Sequence, residues 1–140
     1  MSEDLTIVFE PDNQPATQFV TNGVDNHNIA STGHSAYYPV GYFLKAPDGE
    51  VRGGVLGLIW GKWLHIKIVW VAEQVRGKGH ARAMIAKAEE YAKKRGCEGA
   101  YLETFSFQAR PLYEKLGYTV FGEIENFPPG HKHFFLSKRL

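Results

Sequence analysis

The stretch QVRGKGHARAMIAKAEEYAKKRG, residues 74–96, decides the fold of this chain. Gly77 and Gly79 stand directly before small and apolar residues that recur every three or four positions. This period predicts an amphipathic helix, and Gly96 is expected to end it. The first N–H groups of a helix lack intrahelical partners and carry partial positive charge, and glycines there let an anion approach closely. The stretch therefore predicts either a phosphate-binding loop or an ordinary basic loop.

A glycine-rich loop of this kind needs a strand ahead of it, and the sequence predicts three. They cover residues 37–46, 51–60 and 63–72. Asp48-Gly49 and Gly61-Lys62 supply the two turns, because glycine accepts the positive φ that tight hairpin turns require. Short turns between consecutive strands predict an antiparallel meander rather than a βαβ crossover.

The remaining segments complete a mixed α/β pattern. We predict a strand at residues 5–9 (LTIVF) and one or two short helices within residues 16–35. A second helical stripe begins near residues 107–110, because Pro111 is tolerated only in the first turn of a helix. Further strands are predicted at residues 100–104, 118–122 and 133–137. We therefore expect one α/β (α+β mixed) domain over residues 1–140, with a central, mostly antiparallel sheet flanked by helices.

Composition excludes several classes of protein. A formal net charge of +1 over 140 residues argues against a nucleic-acid binder that relies on bulk charge. No apolar run reaches the roughly 18 residues of a membrane span, and the first residues do not resemble a signal peptide. The single cysteine, Cys97, excludes an internal disulfide, fits a reducing cytoplasm and lacks a paired base that would make it a nucleophile. We expect a cytoplasmic protein without nucleic-acid or membrane partners.

Two motifs resemble those of the GCN5-related N-acetyltransferases (GNAT). The family's cofactor motif, Arg/Gln-x-x-Gly-x-Gly/Ala, occurs twice, as Gln74-x-x-Gly77-x-Gly79 and as Arg76-x-x-Gly79-x-Ala81. The second motif, A-x-x-x-Y-x-x-x-G-[FY], is matched by Ala109, Tyr113, Gly117 and Tyr118. Other phosphate loops do not fit, since GxxxxGK[ST] is absent and Arg82 stands where GxGxxG needs its third glycine.

The resemblance implies a GNAT-like sheet whose fourth and fifth strands splay apart, and acetyl-coenzyme A as the acetyl donor. The loop and helix start would bind its pyrophosphate, and its pantetheine arm would pair with the exposed edge of the fourth strand. The residues implied in cofactor binding are Val69, Trp70, Val71, Arg76, Gly77, Lys78, Gly79, His80, Ala81, Ser106, Ala109, Tyr113 and Lys115. For Ser106 a helix cap is an equal alternative, and Lys115 is also read as a solvated helix lysine.

Acetyl transfer to an amine needs a group that removes a proton and a group that protonates the leaving thiolate. The resemblance makes Tyr113 the acid. The base stays open. Simple alternation places Trp63, His65, Lys67, Val69 and Val71 on one strand face. Relatives carry an acid near position 67, where this chain has Lys67, so His65, Glu103 and a water chain remain candidates.

These observations predict an N-acetyltransferase that moves an acetyl group directly to a primary amine, with a small-molecule acceptor favoured. The alternatives are a protein lysine or N-terminal acetyltransferase, a non-catalytic acetyl-coenzyme A-binding module, and a nucleotide-binding protein that uses the same loop. Dimers are common among similar proteins, so a homodimer is one alternative, and the sequence leaves the oligomeric state open. We predict no metal site, because His131 and His133 can share a strand face but no third ligand is in view.

Overall fold

The computed structural model describes residues 3–140, and the chain divides after Ser35 into two compact units. The first unit contains one continuous helix, α1 (Gln14–Thr32), where the sequence favoured one or two short ones. The side chain of Asn13 accepts a hydrogen bond from the N–H of Ala16 at 3.0 Å and caps the helix start. Gly33, with φ of 74°, ends the helix in the left-handed conformation.

The two units carry opposite charge. Residues 1–35 contain five acidic residues and neither lysine nor arginine. All sixteen Lys and Arg residues and ten of the fifteen Asp and Glu residues lie in the second unit, Ala36–Leu140. The formal charges are therefore −5 for the first unit and +6 for the second, which combine to the small net charge of the chain.

The strand predicted at residues 5–9 is wrong. The segment is irregular, and its apolar side chains are exposed, with Leu5 at 82% and Phe9 at 91%. A strand is stabilised by hydrogen bonds to a neighbouring strand, and this segment belongs to no described sheet. The apolar pattern of this segment was therefore not sufficient to predict a strand. The strands expected as fourth and fifth are the third and fourth of the structure.

The second unit is a six-stranded sheet with two α-helices. Its elements are β1 (Tyr38–Lys45), β2 (Val51–Trp60), β3 (Trp63–Val71), α2 (His80–Lys94), β4 (Gly99–Phe105), α3 (Arg110–Lys115), β5 (Thr119–Glu125) and β6 (Lys132–Arg139). The strand order is β1-β2-β3-β4-β6-β5, and only the β3–β4 pair is parallel. The prediction of a mixed α/β fold with a mostly antiparallel sheet is confirmed. None of the helices within residues 3–140 has the length and apolar character to cross a membrane.

A β-bulge interrupts the alternation of β3. Leu56 and Gly57 are consecutive on β2, but they pair with Ile68 and Ile66, which leaves Lys67 as the extra residue. One extra residue exchanges the two faces of a strand from that point onward. The core side of β3 accordingly carries Leu64 and Ile66 before the bulge, and Val69 and Val71 after it. The predicted common face of Trp63, His65, Lys67, Val69 and Val71 is therefore wrong.

β3 and β4 separate halfway along their length. Their parallel pairing runs from Trp63 with Gly99 to Ile66 with Leu102. β3 continues to Val71 without β4, while β4 stays paired with β6 along its whole length. This geometry confirms the predicted splay of the two strands. Among residues 3–140, no strand pairs with this edge of β3 after Ile66.

Helix α2 covers the sheet and forms the core with it. Its buried apolar residues recur at helical spacing and pack against the central strands. They are Met84, Ile85, Ala88 and Ala92, and they meet Leu64, Ile66, Leu102 and Leu136. Burying an isoleucine or leucine side chain contributes about 1.5–3 kcal/mol. This packing fixes the axis of α2, and hence the position of its first turn beside β3.

A buried ionic network ties α2 to the far strands. Glu89 accepts a 2.7 Å hydrogen bond from the hydroxyl of Tyr118 and a 2.9 Å bond from Nζ of Lys138. Burial, together with the Glu89 carboxylate, raises the pKa of Tyr118 far above its ordinary value. The carboxylate is thus held by two donors from outside its own helix, as a buried charge requires.

Candidate active site

A cavity of about 910 Å³ lies where β3 and β4 separate. Its walls come from the second unit alone. They are formed by residues 66–71 of β3, Leu102 and Glu103 of β4, the loop before α2, the first turn of α2, and α3 with the segment that precedes it. The stretch of β3 that has no β4 neighbour therefore runs along this cavity.

The loop before α2 has the backbone that its glycines predict. Gly77 and Gly79 have φ of 77° and 81°, in the left-handed region that favours glycine, and Gly79 is the N-cap of α2. The first bond of the helix runs from the N–H of Ala83 to the carbonyl of Gly79 at 3.0 Å. The N–H groups of the three residues before Ala83 consequently have no acceptor within the helix. Those residues, His80, Ala81 and Arg82, all line the cavity.

Basic side chains surround the same helix start. Arg76, His80, Arg82 and Lys115 line the cavity. Arg76 donates from Nε to the carbonyl of Val71 at 2.8 Å, which fixes the side chain at the end of β3. That bond uses one of the five N–H donors of the guanidinium. A helix N-terminus and fixed basic groups together form a site for a polyanion.

Tyr113 reaches the cavity from α3. As predicted, Pro111 lies in the first turn of this helix, where its missing N–H does no harm. Tyr113 lines the cavity although only 8% of it is exposed, and its ring meets that of Tyr118 edge-on. Burial raises the pKa of Tyr113 above its ordinary value of 10. The phenol is therefore protonated at neutral pH and can donate a proton into the cavity.

Glu103 brings a carboxylate to the same cavity. It lines the cavity from β4, and its Oε2 atom lies 3.5 Å from Nε2 of His65 on β3. Its Oε1 atom lies 3.2 Å from Nε2 of His133 on β6. Burial lowers the pKa of His65; the Glu103 carboxylate opposes this and Lys67 adds to it. His65 is therefore neutral at physiological pH, and Glu103 is the acidic group of this cluster.

The structure brings most of the predicted residues to one cavity. The lining includes Val69, Trp70, Val71, Arg76, Gly77, Gly79, His80, Ala81, Glu103, Ala109, Tyr113 and Lys115. Three predicted residues, His65, Lys78 and Ser106, are not part of its lining. His65 is in contact with Glu103, which does line the cavity.

The side chain of Ser106 contacts the segment at the start of β6. Its Oγ accepts a 3.0 Å hydrogen bond from the N–H of Lys132 and lies 3.4 Å from Nδ1 of His131. The N-cap of α3 is Ala109, and no side chain caps that helix, so the capping alternative for Ser106 is wrong. Ser106 instead holds the start of β6 to the end of β4.

Several lining residues were missed. They are Ile66, Lys67, Ile68, Val75, Arg82, Leu102, Phe107, Gln108 and Leu112. Gln108 accepts from Oγ1 of Thr104 and from the N–H of Phe105, both at 3.1 Å, and so fixes the end of β4. Its position directly before Ala109 of the second motif was the available signal. Arg82 could have been found from its place in the first helical turn after Gly79.

Comparison with known proteins gives a consistent result. Residues 12–118 match the acetyltransferase (GNAT) family. An acetyltransferase of Agrobacterium fabrum is 35% identical over 114 residues, 81% of this chain and 83% of the relative. The blasticidin-S acetyltransferase of Streptomyces morookaense is 39% identical over 93 residues, 66% of this chain and 68% of the relative.

A solved structure extends the similarity to the whole fold. The crystal structure of an acetyltransferase from Bacillus cereus is 32% identical, with a TM-score of 0.85 over 96% of this chain and 98% of that one. The same family is indicated by the splayed six-stranded sheet, by the two motifs and by these relatives. The chain belongs to the acetyltransferase (GNAT) family and is an N-acetyltransferase.

Proposed function

We propose that this protein transfers the acetyl group of acetyl-coenzyme A directly to a primary amine of a small molecule. The observation that carries the proposal is a single cavity with four features. It contains the open N-terminus of α2, the unpaired edge of β3, the protonated phenol of Tyr113 and the carboxylate of Glu103. A polyanionic thioester and a cationic amine each find a complementary partner there.

The residues present fit acetyl-coenzyme A. Its pyrophosphate would meet the three N–H groups at the start of α2, with Arg76, Arg82 and Lys115 beside them. Its amide-bearing arm would pair with the β3 edge beyond Ile66, as an added strand pairs with a sheet. A volume of about 910 Å³ lies within the range of small-molecule sites.

The two reactive side chains divide the proton transfers. A primary amine has a pKa near 10 and arrives protonated. Glu103 takes one N–H proton, directly or through a water molecule, and the neutral nitrogen can then form the new C–N bond with the acetyl carbon. Backbone N–H groups at the β3 edge would stabilise the oxyanion. When the C–S bond breaks, Tyr113 would protonate the thiolate, and the second N–H proton of the acylated nitrogen would pass to the Tyr113 phenolate, directly or through water. The proton held by Glu103 then returns to solvent.

The acceptor class follows from a relative. The acetyltransferase of Streptomyces morookaense is named for blasticidin-S, a small molecule, and we extend this class of acceptor to the present chain. Glu103 supplies a carboxylate although position 67 holds a lysine, and this favours catalysis over a non-catalytic binding module. That residues 1–140 act as one domain, as a homodimer and in the cytoplasm stays a prediction.

A binding experiment with matched variants tests the proposal. Gly79 and Gly96 stand at the two ends of α2 with the same φ of 81°, and a Cβ at either would meet no atom within 4 Å. Gly79→Glu places negative charge at the proposed pyrophosphate site, while Gly96→Glu imposes the same backbone strain and charge away from it. We expect calorimetry to show coenzyme A binding to the wild type and to Gly96→Glu, and none to Gly79→Glu.

Turnover is then measured with acetyl-coenzyme A and a panel of small amines, peptides with free N-termini and lysine peptides. Thiol release with a small amine supports the proposal. Turnover confined to peptides would show that the acceptor is a protein N-terminus or lysine and not a small molecule. Tight cofactor binding without turnover of any acceptor would favour the binding module, and binding of ATP in place of coenzyme A would favour a nucleotide-binding protein.

A further inference from the structure

His133 on β6 is a buried imidazole whose polar atoms lack hydrogen-bond partners. It is 8% exposed, and neither Nδ1 nor Nε2 has a hydrogen bond within the described structure. Nε2 lies 3.2 Å from Oε1 of Glu103, an ion-pair distance without the alignment of a directed hydrogen bond. A buried polar group without a partner is uncommon and asks for an explanation.

The surroundings of His133 are aromatic. The rings of Phe105, Phe127 and Phe135 lie with centroids 4.5, 4.8 and 4.7 Å from that of the imidazole, and Phe135 stacks on it. A phenylalanine would suit such an environment without the penalty of about 1–3 kcal/mol for an unsatisfied polar group. Packing therefore does not account for a histidine here. Its ion-pair contact is with the carboxylate of Glu103.

Glu103 is bracketed by two imidazoles from its two neighbouring strands. Oε1 faces His133 on β6, and Oε2 faces His65 on β3 at 3.5 Å. The side chain of Glu103 is still 40% exposed and lines the cavity, so the bracket does not close it off. The other polar or charged groups near the cluster are Lys67 and Tyr101, both coupled to it electrostatically. No group of three or more metal-ligating side chains in residues 3–140 could hold a metal ion.

We infer that His133 is a positioning residue that holds Glu103 for proton transfer through its Nε2–H group, which rests on the proposed role of Glu103 as the base. With a proton on Nε2, His133 places a donor nitrogen 3.2 Å from Oε1. This contact restrains the carboxylate from the β6 side, and the 3.5 Å contact of Oε2 with His65 restrains it from the β3 side. When the N–H bond of the ammonium breaks, the new O–H bond forms at the carboxylate held in this way.

The tautomer of His133 tests this inference without any turnover. Protein labelled with ¹⁵N-histidine is studied by NMR at pH 8.5, about two units above the ordinary pKa of an imidazole. We expect His133 to carry its proton on Nε2, with signals assigned by their loss in His133→Phe. A proton on Nδ1, or an even mixture of the two tautomers, would overturn the inference.

Kinetics supply the second test, with a matched pair of substitutions. His133→Phe should lower kcat about tenfold by misplacing Glu103, while KM for acetyl-coenzyme A stays unchanged. His133→Gln carries an amide N–H near the position of Nε2 and should restore kcat to within about threefold of the wild type. His131→Phe makes the same exchange at a histidine that contacts Ser106 rather than Glu103, and should leave kcat unchanged.

The outcomes separate the inference from the proposed function. A His133→Phe enzyme with wild-type kcat, or a His133→Gln enzyme as slow as His133→Phe, would overturn the role of His133. Failure of the wild type to acetylate any amine would instead count against the proposed function. The tautomer measurement decides the inference in that case. If His133→Phe does not fold, the loss of signals in His133→Gln supplies the assignment.

Discussion

The Nε2 atom of His65 lies 3.5 Å from Oε2 of Glu103, while the ring of His65 stacks on Tyr101 with centroids 4.3 Å apart. Because burial lowers the pKa of this imidazole and two nearby charges act on it in opposite directions, His65 reports on the electrostatics around the candidate base. Its titration can be followed by NMR without knowledge of the acceptor.

We expect His65 to titrate below its ordinary pKa of 6.5. Glu103→Gln should lower this pKa further, because the carboxylate favours the imidazolium. Lys67→Met should raise it, because the ammonium disfavours the imidazolium. If both substitutions moved the pKa of His65 in the same direction, the opposite effects assigned to Glu103 and Lys67 would be wrong.

The lowered pKa of His65 also makes the free energy of unfolding depend on pH. A folded-state pKa below the unfolded value means that the unfolded chain binds the proton more tightly. The contribution of His65 to stability is therefore fully present above pH 6.5 and is lost as the pH falls below it. Urea denaturation of the wild type and of His65→Phe between pH 5 and 8 measures this contribution, which the variant should lack.

Tyr113→Phe should remove the proposed acid for the leaving thiolate. We expect kcat to fall about 100-fold, with little change in KM for acetyl-coenzyme A. Since burial raises the pKa of Tyr113, loss of its proton should not limit the rate below pH 10. Tyr118→Phe is the control, because its hydroxyl bonds Glu89 at 2.7 Å and is not part of the cavity lining. Tyr118→Phe should lower the melting temperature and leave kcat unchanged. If Tyr113→Phe had the same kcat as Tyr118→Phe, Tyr113 would not be the acid.

Glu103→Gln keeps the shape of the side chain and removes its ability to take a proton. If Glu103 is the base, steady-state assays should show kcat reduced about 100-fold. Glu123→Gln alters a surface carboxylate 3.7 Å from Lys132 and should leave kcat unchanged. An unchanged kcat in Glu103→Gln would show that Glu103 is not the base and would favour a water chain in that role.

Lys138→Met should destabilise the protein by leaving the buried carboxylate of Glu89 with Tyr118 alone. Breaking a buried ion pair costs about 3–5 kcal/mol, and we expect about 2 kcal/mol here because the Lys138 side chain is 26% exposed. Lys132→Met breaks a more exposed pair and should cost less than about 1 kcal/mol. Urea denaturation measures both. Similar losses in the two variants would show that the Glu89 network adds little.

Local signals predicted the parts of the fold that local chemistry determines. The period of α2, its end at Gly96, the turns of the meander and the placement of Pro111 are all properties of short segments. The strand at residues 5–9 failed because a strand exists only through pairing with another segment, which no short pattern reveals. The segment does contain apolar residues, but no strand of the described sheet pairs with it.

The error in the face of β3 had a readable signal. An isolated glycine within a strand often marks a bulge or a close backbone approach, and Gly57 is such a residue. A Cβ at Gly57 would lie 2.5 Å from the carbonyl oxygen of His65, directly beside the bulge at Lys67. Alternation counted past that point necessarily places the later side chains on the wrong face.

The cluster around Glu103 could not be read from the sequence. His65, Glu103 and His133 come from three strands that are adjacent only because β6 inserts between β4 and β5. That order depends on long-range pairing, so His133 was considered only with His131 as a metal ligand. Pairing of β4 with β6 brings it beside Glu103 instead.

The division of charge between the two units has a consequence for how fast the donor is captured. A chain with formal charge +1 would be expected to attract an anion weakly, but the unit that contains the cavity carries +6. Association with a polyanion is accelerated by a local field of opposite sign, and that field is screened over about 8 Å at physiological ionic strength. Association of acetyl-coenzyme A should therefore slow with added salt through the basic groups that line the cavity, Arg76, Arg82 and Lys115, although the isoelectric point of the chain is only 7.9.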